Sequence, residues 1–272
     1  MPYTLEELLA VEVSRHINDD EMGFVGVGTG GAAFIRAVGI PAVASRLAQL
    51  RHAPNYTIMF GPILDPVLDA DRIPETNFEP DLIRWPCRSQ ITVEEALCIF
   101  KRGKMGIGFV SGAQVDQWGN FNIVCIGDYA HPKVRLPGPL AQPDHAAHAK
   151  RVFAVQKHDR RTFVEQVDYV SAAGNKDRSG LPGGGPAWIF TELAVMDFDP
   201  RTGRMRLSSV HPGKTVEQVI ERTGFALEIP AEVPLTEPPS AEDLDLIRTR
   251  IDPSRKWLNA QITQEPATLE AD

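Results

Sequence analysis

The chain has 272 residues, 43% of them hydrophobic and 24% charged, the composition of a globular protein able to bury a substantial core. Its formal charge of −8 argues against a nucleic-acid partner, because phosphate binding needs an excess of Lys and Arg on one face. Cys87, Cys98 and Cys125 are an odd number without C-x-x-C spacing, which indicates neither a disulfide framework nor a zinc site. With no signal-peptide pattern and no membrane-length apolar run, a soluble, cytoplasmic protein is expected.

Thr4 and Glu7 form a capping-box pattern, and Leu5, Leu8, Leu9, Val13 and Ile17 give an amphipathic helix ending near Asn18. Met22 to Val27 reads as a strand entering Gly26-Val27-Gly28-Thr29-Gly30-Gly31, where G-x-G-x-x-G spacing brings backbone amides toward a ligand or serves close packing. A dinucleotide site is disfavoured: the acid expected about twenty residues on is missing from Ala44 to Gln49, and Pro41 splits the following helix. Pro41 then starts a helix to about Arg51, and Tyr56 to Phe60 is a buried strand. A Pro- and acid-rich loop extends to about Gln90. Thr92 with Glu95 caps a helix that Gly103 stops.

Met105 to Val110 is a glycine-containing strand suited to close backbone approach. Polar turn residues from Ser111 to Asn120 lead to a second strand, Phe121 to Ile126. The turn Gly127-Asp128 and the segment His131-Pro132-Lys133-Val134-Arg135 come next. A loop carrying amides and cations at the end of a buried strand is where an open α/β sheet holds its ligand. His145 and His148 are three apart, but with no third ligand nearby an exposed helix or lid is expected there rather than a metal site. Further strands are expected at Arg151 to Gln156 and Phe163 to Val170. A flexible stretch, Gly174 to Gly185, precedes a hairpin of Ala187 to Phe198 with Met205 to Val210. Thr215 with Gln218 and Ser240 with Asp243 start the last helices. One domain, residues 1–258, and a polar tail, 259–272, account for the chain.

The blocks Gly112-Ala113-Gln114-Val115-Asp116, Gly119-Asn120-Phe121-Asn122, Ile126-Gly127-Asp128-Tyr129, His131-Pro132-Lys133 with Arg135, Val167-Asp168-Tyr169-Val170 and Arg222-Thr223-Gly224-Phe225, in this order, resemble the β subunits of family I CoA-transferases. The resemblance implies an α/β fold of CoA-transferase-like type, a single domain with a mostly parallel sheet flanked by helices. It also implies an active site shared with a separate α subunit, and an acyl-CoA substrate that brings coenzyme A with it, so that no bound cofactor is expected. Family transferases carry a nucleophilic glutamate after the strand that here is Tyr56 to Phe60. The matching position is Phe60 or Gly61, neither of which can act, and Asp65 lies several residues beyond.

Heteromeric hydrolases that open rings in bacterial steroid breakdown resemble the same superfamily and take their catalytic acid from the α subunit. The reaction expected is therefore CoA transfer, or hydrolysis with the partner's acid. The substrate-binding residues implied are Gly28, Thr29 and Gly30 through backbone amides, Gln114, Asn120 and Asn122 through side-chain amides, and Lys133 and Arg135 through charge. The competing expectation is a non-catalytic scaffold or acyl-CoA-binding subunit, in which the Gly and Asn residues serve folding alone.

Overall fold

The computed structural model describes residues 2–26, 31–68 and 83–258. Thr4 and Glu7 make the expected reciprocal bonds, and α1 (Leu5–Arg15) follows. It ends before Asn18. The next residue, His16, lays its ring against Trp188, with centroids 3.9 Å apart, and its carbonyl accepts from Arg151.

β1 (Met22–Val25) leads across the glycine motif to α2 (Gly31–Phe34), a π turn (Ile35–Gly39) and α3 (Ile40–Arg51). Pro41 was expected to split this stretch, but Gly39 and Ile40 both keep helical dihedrals. The π turn, closed by the Ile40 amide on the Ile35 carbonyl, supplies the extra residue that lets a proline without an N–H sit in a continuous run. Gly39 is required there, because a Cβ would lie 2.0 Å from the Trp257 carbonyl oxygen.

β2 (Thr57–Phe60) is followed by β3 (Ile63–Pro66) and β4 (Cys87–Gln90). The loop expected after Phe60 thus contains two antiparallel strands. Pro66 is tolerated because it ends its strand, near the sheet edge formed by β4. The Thr92 box opens α4 (Val93–Lys101), and Gly103, at φ +66°, ends it.

β5 (Ile107–Val110) is the predicted glycine-containing strand. The single strand expected at Phe121 to Ile126 is instead two short ones. β6 (Gln114–Val115) pairs with β7 (Phe121–Asn122), and β8 (Cys125–Ile126) pairs with β9 (Val134–Arg135). The Val124 and Cys125 amides donate to Asn122 Oδ1, which turns the chain between β7 and β8.

α5 (Gln142–His148) precedes β10 (Arg151–Val155). Far from lying on an exposed lid, His145 is buried, with Nδ1 3.0 Å from the Phe109 carbonyl and its ring stacked on Phe100. The strand expected at Phe163 to Val170 is irregular, since the Val164 amide goes to Val115 and the Asp168 amide to the Gln114 side chain. The stretch expected to be flexible, Gly174 to Gly185, is tied down: Arg178 donates to the Ala146 and Gly183 carbonyls, and the Gly183 and Gly184 amides donate to Ala147 and Ala149.

β11 (Pro186–Phe190), β12 (Ala194–Phe198) and β13 (Met205–Val210) close the sheet. The expected strand Ala187 to Phe198 therefore divides where the Thr191 hydroxyl caps the Leu193 and Ala194 amides. α6 (Val216–Arg222) and α7 (Ala241–Leu246) follow their predicted caps, and a second π turn, Ile247–Ile251, extends the latter.

Among the described residues nine strands form one sheet in the order β13-β12-β11-β10-β5-β1-β2-β3-β4. The five central strands, β11 to β2 in that order, are parallel, and antiparallel strands flank them on both sides. Both faces are covered, as a parallel sheet requires. Along β10, Phe153 and Val155 join a core with Val13, Val43, Leu47 and Trp257, while Val152 and Ala154 join one with Phe100, Val115, Phe121 and Val219. No helix among the described residues is long and apolar enough to cross a membrane. Gly28, Thr29, Gly30 and the tail, 259–272, lie outside the described residues.

Candidate functional site

Because β1, β2, β5, β10 and β11 run parallel, their C-terminal ends share one edge, the position at which open α/β sheets take ligands. Gly26, Gly61, Ser111 and Gln156 each follow a strand there. With its amide oriented to satisfy both partners, buried Gln156 donates to the Gly112 carbonyl at 3.1 Å and accepts from the Gly112 amide at 2.8 Å, fixing the exit of β5 to that of β10.

From Gly112 the chain enters a buried polar knot. Gln114 Nε2 donates to Asp168 Oδ2 at 3.0 Å, while its Oε1 accepts from Asn122 Nδ2 at 2.7 Å and from the Asp168 amide at 3.0 Å. Asn122 also donates to the Cys125 carbonyl. Asn120 donates to Asp116 Oδ2 at 2.9 Å and accepts from the Gly174 amide at 2.7 Å. Burial pushes the Asp116 carboxyl up, against the pull of hydrogen bonds from Asn120 and Trp118. Of the three amides singled out from the sequence, Gln114 and Asn122 are bonded to each other while Asn120 joins Asp116 and Gly174, and each spends its oxygen and its nitrogen on the protein.

Asp168 links this knot to the surface. Its Oδ2 also accepts from the Gly127 amide at 2.9 Å, at the start of the loop joining β8 to β9. Gly127 has φ +85°, and a Cβ there would lie 3.3 Å from Lys133 Cγ. Asp128 Oδ1 caps the Ala130 and His131 amides. Lys133 and Arg135 are exposed on this hairpin, with Arg135 donating to the Tyr129 carbonyl at 3.0 Å and its guanidinium carbon 5.0 Å from the Tyr129 ring centroid. Tyr129 stacks on Tyr169, centroids 5.2 Å apart. Asp168, Tyr129, Tyr169 and Gln156 had no assigned role in the sequence. The signal that finds Asp168 is spatial, since Gln114 lies 54 positions away.

At the end of β2 the Phe60 side chain is buried against Trp85 and Trp257. Gly61 turns the chain at φ +58°. Asp65 points back along the hairpin: Oδ1 accepts from the Ile58 amide at 2.8 Å and Oδ2 lies 3.1 Å from Arg88.

A family model described as Coenzyme A transferase matches residues 7–222. The chain is 32% identical over 255 residues to the β subunit of 3-oxoadipate CoA-transferase from Pseudomonas knackmussii, covering 90% of this chain and 92% of that one. It is 28% identical over 222 residues to the cholesterol ring-cleaving hydrolase IpdB subunit of Rhodococcus jostii, covering 79% and 82%. The crystal structure of glutaconate coenzyme A-transferase from Acidaminococcus fermentans superposes with a TM-score of 0.78 at 29% identity, over 94% of this chain and 98% of that one.

Proposed function

Since the chain belongs to the coenzyme A transferase family, as a family I β subunit, we propose that it forms half of a heteromeric hydrolase acting on an acyl-CoA, with the reacting carboxylate supplied by an α-type subunit. One observation carries this reading: where the resemblance puts the transferase glutamate, this chain has buried Phe60 and the bare turn of Gly61, and the next acid, Asp65, is bonded back to Ile58. Without a carboxylate at that turn, no anhydride or thioester with this chain forms there. A partner's carboxylate would instead take a proton from water as the water adds to the ketone carbonyl of a β-keto acyl-CoA; the bond from that carbon to the α carbon then breaks, giving a carboxylic acid and the thioester enolate, which takes up the proton.

In this reading the knot of Gln114, Asn120 and Asn122 shapes the pocket wall. Lys133 and Arg135 meet anionic groups of the substrate.

The test purifies this chain alone, the α-type subunit alone and the two together, and assays acyl-CoA in water enriched in oxygen-18. Turnover by the pair only, with label in the product and no hydroxylamine-sensitive adduct on this chain, is the expected result. Transfer of CoA to an added carboxylic acid would make it a transferase. Full activity of the α-type subunit alone would leave this chain a scaffold.

A further inference from the structure

We infer that the surface carrying Tyr129, Tyr169, Lys133 and Arg135 binds the nucleotide end of coenzyme A, with adenine stacked on the tyrosine pair and phosphates met by the two cations. This rests on the reading of the chain as part of an acyl-CoA enzyme and adds which part of the substrate it holds.

Four observations converge. The tyrosines are stacked yet 57% and 37% exposed, so the pair leaves aromatic surface in water that a purine can cover. Although acids outnumber bases by 36 to 28 in the chain, no described carboxylate lies within ion-pair distance of Lys133 or Arg135. Asp128, the nearest acid in sequence, directs Oδ1 to two backbone amides. The surface is also built to hold its shape: the Asp168 carboxylate clasps Gly127 and Gln114, Lys133 lies over Gly127, and Tyr169 follows Asp168 directly. Through Gln114 and Gly112 it connects to the C-terminal edge of the sheet. A nucleotide here leaves the pantetheine arm to lead the acyl group toward that edge.

The experiment uses the complex with the α-type subunit and two substrates, an acyl-CoA and the same acyl group on pantetheine, which lacks the nucleotide. For Lys133→Ala and Tyr169→Ala, the ratio of kcat/KM on acyl-CoA to that on acyl-pantetheine is expected to fall about tenfold, the scale of one lost stacking or charged contact. Adenosine 3′,5′-bisphosphate should bind the wild-type complex, and about tenfold more weakly the variants, by calorimetric titration. An unchanged ratio with unchanged bisphosphate binding overturns the inference while leaving the proposed hydrolase intact. Loss of subunit assembly in sedimentation, with the ratio unchanged, gives the surface to the partner subunit and also overturns it. If the wild-type complex turns over no acyl-CoA, the functional reading fails, and bisphosphate binding alone decides the site.

Discussion

The Asp65 carboxylate accepts the Ile58 amide at 2.8 Å, directly across the β2–β3 ladder, where Met59 pairs with Leu64 and Phe60 with Ile63. Asp65 has φ +45°, a left-handed conformation that Asp and Asn tolerate best after glycine. Its side chain thus completes the hairpin. Asp65→Asn, which keeps an acceptor and tolerates the dihedral, is expected to cost under about 1 kcal/mol, and Asp65→Ala about 2 kcal/mol in urea unfolding. Turnover of the complex should stay within about twofold for both. A hundredfold loss in Asp65→Asn with an unchanged melting temperature would return Asp65 to the reaction.

Asp168 holds the cationic hairpin through one oxygen that accepts both Gln114 Nε2 and the Gly127 amide. Asp168→Ala leaves both donors unpaired, at a cost of about 2–3 kcal/mol. Hydrogen exchange should accelerate across residues 127–135 more than in β5 or β10. Asp168→Asn should recover much of the protection, its amide oxygen taking the same place. Uniform exchange across the chain in Asp168→Ala would mean that the hairpin stands without this clasp.

Stability should fall in acid through three buried histidines, since burial lowers the pKa of His211 as well as those of His145 and His158. Burial lowers the pKa of His145 to about 4, against the opposing pull of the Phe109 carbonyl. Burial first, and then the charge of Arg222, lower that of His158 to about 4. Both are depressed in the folded chain, so the unfolded chain binds more protons between about pH 6.5 and 4. The stabilisation is complete above about 6.5 and is lost as pH falls through that window. His145→Phe, placed between Phe24 and Phe100, should cost about 1 kcal/mol near neutrality for the lost bond to Phe109 and lessen, without abolishing, the fall of the melting temperature across this range. An undiminished slope in the variant would exclude His145 from acid unfolding.

The helix starts at Thr4, Thr92, Thr215 and Ser240 were legible in the sequence because a capping box is written within four residues. The apolar runs of β1, β2, β5 and β10 were legible for a similar reason, since strands buried on both faces need no alternation. β3 and β4 were not, because Asp65, Pro66 and Arg88 look like loop residues until Ile58 and Arg88 are seen to satisfy the acid. The polar stretch after β5 showed that something was built there. Whether Gln114 faces a substrate or Asp168 depends on a residue 54 positions away, which no local pattern encodes. His145 looked exposed for the same reason, as Phe24 and Phe100 come from other elements.

Gly23 and Tyr56 provide a test of the fold beneath the site. A Cβ on Gly23 would sit 1.6 Å from the Tyr56 hydroxyl oxygen and 2.7 Å from the ring carbon bearing it. The Tyr56 ring is fully buried, and its hydroxyl interacts with that of buried Ser45. Gly23→Ala must push this ring out of a packed core, and a loss above about 3 kcal/mol is expected in urea unfolding. Tyr56→Phe removes the hydroxyl and its contact with Ser45 and should change stability by about 1 kcal/mol or less. Combining the two removes the closest clash but not the one with the ring, so the double variant should recover at least about 1 kcal/mol of the Gly23→Ala loss, a coupling that distant sites do not show. Strict additivity would mean that the glycine is needed for its backbone rather than for the space it leaves to Tyr56.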